Sequence, residues 1–577
     1  MRPAVRWLTA ARVRRVVQVL LLAAFFVLIL LTRFRAVSPV ASPGGNIDLP
    51  PELQAPAPLL KIFFLFDPLI TAVTALTAHA LPLVALWAIV TIAVTMIFGR
   101  IFCGWVCPMG TIHAISSRLF RRRKNRRGLG NWSRWQLAKY YILVGLLTAA
   151  VFGLHWVCVL DPIVWLTRTT STALVPAAQW AAKTSSTALY PSEPGNDLLQ
   201  IDKVVIEPAY QFTNKYIFGL EGSDHDPAYI GAGVIMGLFV IMVVLNAWRP
   251  RFWCRYLCPL GALLGIFSWR PLLRRNVKPK SCNNCGVCGM SCHGAAVGTG
   301  SERSSASAPL ITAWKPMECL GCMDCSESCR RDSLGFQLVL PWRKEPKLES
   351  IDLGRRGMMA AAVGGIVTLA AMRITPQGRG RTFNPALIRP PGARPEHEFL
   401  ERCTSCGLCI KVCPTGGLQP ALTEAGLEGL WTPMLVPQVG YCDYMCNLCG
   451  RVCPTEAIQP LTLEKKHETR IGLASFDTTR CIPYAYGRNC MVCEEHCPIP
   501  DKAIYCLEVE VQDRNGKKTT IKQPHVDPEK CIGCGICEHV CPYKDRPAIR
   551  VTSANETRNE DNQPLLGGGE ESAYGAG

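Results

Sequence analysis

Six short runs of four cysteines leave this chain little choice of fold. The tightest reads C-T-S-C-G-L-C-I-K-V-C-P from Cys403 through Cys406, Cys409 and Cys413 to Pro414, with two, two and three residues between successive thiols. Three thiolates so close in sequence can curl around three corners of one cubane, while the fourth points away towards a second. Small residues such as Ser405 and Gly407 let backbone N–H groups approach the sulfurs, and Pro414 turns the chain out of the loop. The same spacing recurs at Cys282, Cys285, Cys288 and Cys292, at Cys319, Cys322, Cys325 and Cys329, and at Cys531, Cys534, Cys537 and Cys541. Cys442, Cys446, Cys449 and Cys453 widen the first gap by one, and Cys481, Cys490, Cys493 and Cys497 widen it to eight.

These runs take 24 of the 30 cysteines, so few remain for disulfides. A disulfide scaffold scatters its cysteines through a small chain, and structural zinc uses two separated pairs. The expected cofactors are therefore about six [4Fe-4S] clusters, with those 24 cysteines as metal ligands. No Walker loop, Rossmann fingerprint or C-x-x-C-H haem motif occurs, so no catalytic residues are expected and the chain reads as an electron relay. The net charge of +18 would suit nucleic acid, but each oxidised cluster with its thiolates carries about −2, which offsets much of the excess. No nucleic-acid partner is expected.

The basic residues crowd beside apolar runs. An uncharged stretch at 16–32 exceeds a signal-peptide core, and further apolar runs lie at 80–98, 140–157, 229–245 and 358–372. Arg118, Arg121, Arg122, Arg123, Lys124, Arg126 and Arg127 follow the second run, and Arg249, Arg251, Arg255, Arg270, Arg274 and Arg275 follow the fourth. The positive-inside rule puts both clusters and the N-terminus in the cytoplasm, and the acidic segment 159–228 outside. The expected fold class is an α-helical membrane domain of about five transmembrane helices plus α+β ferredoxin-like polyferredoxin domains. Its divisions are a membrane domain at 1–270, a cytoplasmic two-cluster domain at 271–340, an anchor and linker at 350–398, a periplasmic four-cluster domain at 399–552 and a tail at 553–577. Arg355 and Arg356 precede the fifth apolar run as a twin-arginine-like export signal, or as ordinary positive-inside flanking.

An internal repeat marks the first half. F-C-G-W-V-C-P-M-G at 102–110 matches W-C-R-Y-L-C-P-L-G at 253–261, and Asp67-Pro68-Leu69 matches Asp161-Pro162-Ile163. Cys103, Cys107, Cys254 and Cys258 thus fall on one side and can form a shared site for a cluster, another metal or reactive thiols, or they can simply pack at helix ends. Quinol oxidation releases protons, so Asp67, His79, His155 and Asp161 are the candidate quinol-binding residues. About 30 Å of hydrocarbon would separate inner from outer clusters, so diffusing quinol or a cofactor at the C-x-x-x-C-P site must connect them.

With these motifs in order, residues 1 to about 335 resemble the NapH type of membrane ferredoxin, and residues 350 to 550 resemble the NapG and MauM type. The insertion at 181–228 departs from the pattern, as does the joining of the two halves in one chain. The resemblance implies quinol oxidation at the inner membrane and electron delivery to a periplasmic reductase, typically of nitrate, or to cytochrome c. Lipid and the quinone pool are the other implied partners. The rival reading is an assembly or maturation factor for a periplasmic metalloenzyme. By analogy with two-cluster ferredoxins, Cys329 completes the Cys282 set and Cys292 the Cys319 set. In the outer module the first and last runs are expected to pair, with Cys541 completing the Cys403 set.

Overall fold

The computed structural model describes residues 10–31, 61–79, 85–121, 132–189, 207–212, 228–278, 281–282, 285–297, 314–339, 351–374, 384–512, 518–559 and 562. The basic residues 122–127, most of the acidic segment and insertion between 190 and 227, and the tail beyond 562 lie outside the described residues.

The expectation of five membrane spans is corrected. Among the described residues only Ala10–Leu30 is both long and apolar enough to cross a membrane. The other apolar runs resolve into shorter helices, Ala85–Phe98, Ala138–Val151 and Ala232–Val244. At 1.5 Å per residue, 14 residues reach about 21 Å, well short of 30 Å of hydrocarbon. Gly153, at φ 82°, turns the third run out of its helix. The fifth run lies in Arg355–Arg373, rich in Ala and Gly with arginines at both ends. Among the described residues the fold is mostly helical, with four small two-stranded sheets.

The internal repeat is visible in the helix starts. Asp67 Oδ1 accepts from the N–H groups of Leu69 and Ile70 at 2.9 and 3.3 Å, capping Pro68–Ala78. Asp161 Oδ1 accepts from Ile163 and Val164 at 2.8 and 3.0 Å, capping Pro162–Thr169. In both, proline occupies the first helical position, where its missing N–H costs nothing. Arg355–Arg373 lies along Ala138–Val151 at glycine-to-glycine contact, since a Cβ on Gly365 would fall 2.3 Å from the Gly145 carbonyl oxygen.

Helix Ala138–Val151 also separates the two cysteine-rich modules. At its start, Lys139 Nζ meets Glu318 Oε2 at 2.5 Å and Tyr140 Oη donates to Glu318 Oε1 at 3.2 Å. Glu318 belongs to the first module, which is closed by the antiparallel strands Leu273–Val277 and Leu334–Leu338. Arg14, at the N-terminal end of Ala10–Leu31, donates to both Asp324 oxygens of that module. At the helix's far end Arg373 donates to the Phe152 carbonyl at 2.8 Å and reaches Glu428 of the second module. The second module starts earlier than expected. Ile388 bridges to Leu435 and Ala393 to Ile458, so the segment from Asn384 is part of its core.

The second module docks through a stacked cation. The Arg168 guanidinium lies 4.8 Å from the Trp165 ring and 4.3 Å from the Trp431 ring. Nearby, Thr77 Oγ1 donates to the Glu401 carbonyl at 2.6 Å and Gln419 Oε1 accepts from the Ile230 N–H. Trp431 is 6% exposed, so Trp431→Ala is expected to cost about 3–5 kcal/mol at this junction. Hydrogen exchange checks it: amides at 165–174 should lose protection while the strands Ile504–Gln512 and Lys518–Val526 keep theirs.

Candidate iron–sulfur centres and the four-cysteine site

The tightly spaced ligand loops share a plan, whereas Asn447 and Met491, at φ −127° and −120°, replace the left-handed turn in the two widened runs. In the Cys403 run, Gly407 at φ 77° supplies the left-handed turn after the second cysteine, and the short helix Leu408–Val412 then presents Cys409 before Cys413 leaves in extended backbone. Short helices Leu448–Val452 and Ile536–Val540 do the same for later runs. The fourth cysteine therefore points out of its own loop.

Three partly open pockets lined by cysteines show where it goes. About 400 Å³ of empty volume is lined by Cys442, Cys446 and Cys449 together with Cys413 from the preceding run. About 360 Å³ is lined by Cys481, Cys490 and Cys493 with Cys541. Another 360 Å³ is lined by Cys319, Cys322 and Cys325 with Cys292. Electrostatics complete the reciprocal sets. Burial raises the Cys409 thiol, and the neighbouring Cys406, Cys403 and Cys453 raise it further. Cys497 acts in the same way on Cys531 and Cys534, as Cys282 and Cys285 do on Cys288. The crossing leaves Cys329 for that last set.

The outer pairing thus differs from the expected one. The first run exchanges fourth ligands with the second, and the third with the fourth, so Cys453 rather than Cys541 stands with Cys403. The two units touch where Cys442 N–H donates to the Cys534 carbonyl at 2.8 Å. These sets fit iron–sulfur clusters. A single tetrahedral zinc would draw four sulfurs to within about 4 Å of one another, at about 2.3 Å per bond. Among the described residues no group of three or more His, Cys, Asp or Glu is close enough for one ion. Burial holds the Cys322 and Cys493 thiols at about 12, so their ionisation is coupled to metal binding.

Of the remaining candidates, Asp67 and Asp161 come together. Both are fully buried, and the Oδ2 atom of each lacks a hydrogen-bond donor. Burial and the facing Asp161 carboxyl hold Asp67 well above the usual carboxylate range. His155 comes from the turn before Trp156–Val159 and meets helix Pro68–Ala78 two turns beyond Asp67, with Nε2 3.1 Å from Thr74 Oγ1. His79 is exposed at the helix end, away from the pair.

Cys103, Cys107, Cys254 and Cys258 also form one group. Each of the other three thiols bears electrostatically on Cys258, and Cys103 and Cys254 bear on Cys107. The Gly110 N–H donates to Cys107 Sγ at 3.4 Å and the Gly261 N–H to Cys258 Sγ at 3.2 Å, a symmetric arrangement at the starts of Pro108–Arg121 and Pro259–Phe267. Arg168, Trp165 and Trp431 escaped sequence reasoning because only the tertiary fold assembles them.

Comparison with known proteins gives concordant results. One 4Fe-4S binding domain family matches residues 80–127 and 230–280, and a second matches 399–419 and 524–544. The chain is 35% identical over 210 residues to the ferredoxin-type protein NapG of Escherichia coli (strain K12), covering 36% of this chain and 86% of that protein. It is 36% identical over 203 residues to the methylamine utilization ferredoxin-type protein MauM of Methylorubrum extorquens, covering 35% and 87% respectively. The MauM of Paracoccus denitrificans is 35% identical over 210 residues, 88% of its length. No solved structure matches.

Proposed function

Because this chain belongs to the family of ferredoxin-type proteins that includes NapG and MauM, we propose that its iron–sulfur electron transfer runs from a quinol to a periplasmic reductase such as nitrate reductase. The N-terminal half acts in this reading as a NapH-type partner fused to the NapG-type half. The carrying observation is the buried Asp67–Asp161 pair in the helical domain between the two cysteine-rich modules. Bound clusters supply one-electron storage. The chain's own residues hold the ligand sets at fixed spacing and offer the carboxyl pair to a proton leaving the quinol.

The same reading puts the protein at the inner membrane, with Ala10–Leu31 crossing it, the N-terminus in the cytoplasm and the Cys403–Cys541 module in the periplasm. Exposed apolar side chains on three helices, among them Leu20, Trp87 and Ile241, support a lipid-facing surface.

Anaerobic mixing of the purified full chain with a reduced quinol tests the proposal: cluster absorbance should bleach and reduced-cluster EPR signals should appear. Asp67→Asn and Asp161→Asn keep the helix caps, since asparagine caps as well as aspartate, but remove the proton acceptor. Each is expected to slow bleaching by about 100-fold or more at unchanged iron content. Bleaching at the wild-type rate in both variants removes the pair from the mechanism. Absence of bleaching in the wild type, with a partner metalloenzyme still activated, turns the assignment to a maturation factor.

A further inference from the structure

The family match at 80–127 and 230–280 carries a difficulty. Each matched segment contains only two cysteines, Cys103 with Cys107 and Cys254 with Cys258, so neither holds a four-thiolate centre by itself. The fold removes the difficulty by placing the four thiols together, with Cys103, Cys107 and Cys258 at most 9% exposed. None is in a disulfide.

The repeat also extends further than its cysteines. Arg100 stands three residues before Cys103, and Arg251 three residues before Cys254. Both are at most 1% exposed. Arg100 Nη1 donates to the Met317 carbonyl at 3.0 Å and lies 3.6 Å from Glu318 Oε2, a single carboxylate that Lys139 also pairs, and Arg251 Nη1 reaches the Cys103 carbonyl at 3.5 Å. In each arginine Nε and Nη2 have no hydrogen-bond partner. Arg100 Nη2 is only 2.6 Å from where a Cβ on Gly261 would stand, beside the N–H that donates to Cys258 Sγ. Two buried guanidinium groups with unused donors, at symmetric positions around the thiols, are costly unless a negative group lies between them.

We propose that Cys103, Cys107, Cys254 and Cys258 together hold one iron–sulfur cluster, beyond the six cysteine quartets and shared by the two repeat halves. Four thiolates with such a cluster carry about −2, and the buried cations there, Arg251 with Arg100 and Lys139 around the one carboxylate of Glu318, leave an excess of positive charge to meet it. The site abuts the first module: a Cβ on Gly104, inside the first cysteine pair, would fall 2.0 Å from the Leu320 carbonyl oxygen, between Cys319 and Cys322. On the other side, Asp161 is near enough to act on the Cys107 thiol. The site therefore occupies the interval between the first module and the carboxyl pair, which deepens the relay reading and rests on it for its purpose.

The test counts iron and acid-labile sulfide in anaerobically purified full-length protein. Cys107→Ser, Cys258→Ser and the double variant should each lose the same single cluster, about two to four irons per chain, with the EPR signals of the six quartets retained. Unchanged iron in all three overturns the proposal, and so do additive losses, which would mean two separate sites. Should the serine variants fail to fold, Arg251→Gln decides the matter: removing a cation beside the cluster should lower one reduction potential in an EPR-monitored titration and leave the others in place. No shift in any potential means the arginine faces no redox centre. These readouts are independent of quinol, so they stand or fall separately from the bleaching experiment.

Discussion

Replacing Cys453 with serine is expected to destroy the centre built on Cys403, Cys406 and Cys409 and to leave the one built on Cys442, Cys446 and Cys449 intact, although Cys453 belongs to the latter's run. Its extended backbone at φ −66°, ψ 117° carries the side chain out of its own loop, where it bears on all three thiols of the other set. Cys413 makes the reciprocal excursion into the space lined by Cys442, Cys446 and Cys449. A three-thiolate remnant holds a cubane weakly, so about one to four irons should leave per chain, with one EPR signal lost or converted. Cys541→Ser is the control: it should remove the Cys481 centre and spare the Cys403 centre. Loss of the Cys403 signal on replacing Cys541, but not on replacing Cys453, would reinstate a first-with-last pairing.

That pairing shows where the sequence ran out. Spacing marks out the candidate ligand loops, because the chemistry of a cubane is local: three thiolates, small residues between them and a left-handed turn such as that at Gly407. Spacing carries no information on which loops exchange fourth ligands, since that depends on packing between short helices such as Leu408–Val412 and Leu448–Val452. Membrane architecture failed for a related reason. Hydropathy reads apolar length along the chain, yet Gly153 interrupts one such run, and its helix stops at Val151. The repeat, by contrast, was legible, and it held more than its cysteines. Arg100 and Arg251 occupy equivalent positions, but in sequence they pass for flanking charges; only their burial makes them informative. The Asp67 and Asp161 carboxyls were legible as equivalent helix starts, whereas their meeting is a property of the fold alone.

Glu396→Gln should destabilise the start of the second module by about 3–5 kcal/mol and make the Cys403 centre labile. Glu396 accepts from Arg389 Nη2 at 2.6 Å and Nε at 3.1 Å, and from Arg558 Nη1 at 2.7 Å. The three side chains tie the segment from Asn384, the helix Glu396–Arg402 and the chain near 558 into one core. Burial by itself would raise the Glu396 carboxyl, but the two guanidinium charges outweigh it and hold the group down at about 2. A depressed carboxylate stabilises the fold above its unfolded value of about 4.3, and that contribution, on the order of 3 kcal/mol, disappears as pH falls towards 2. Protection of amides at 384–402, corrected for intrinsic exchange, should therefore fall in wild type between about pH 4 and pH 2. The glutamine variant should start low and change little over the same range. Arg558 keeps Glu556, which accepts from its Nε at 2.7 Å, so the group left uncompensated is Arg389, whose side chain is fully buried. Pairing Glu396→Gln with Arg389→Met should then recover much of the lost protection, because the cost lies in the stranded guanidinium rather than in the missing ion pair. A double variant no better than Glu396→Gln would mean that the hydrogen bonds from Arg389 to Thr432 Oγ1 and the Pro433 carbonyl, at 2.9 and 2.7 Å, hold this segment in place.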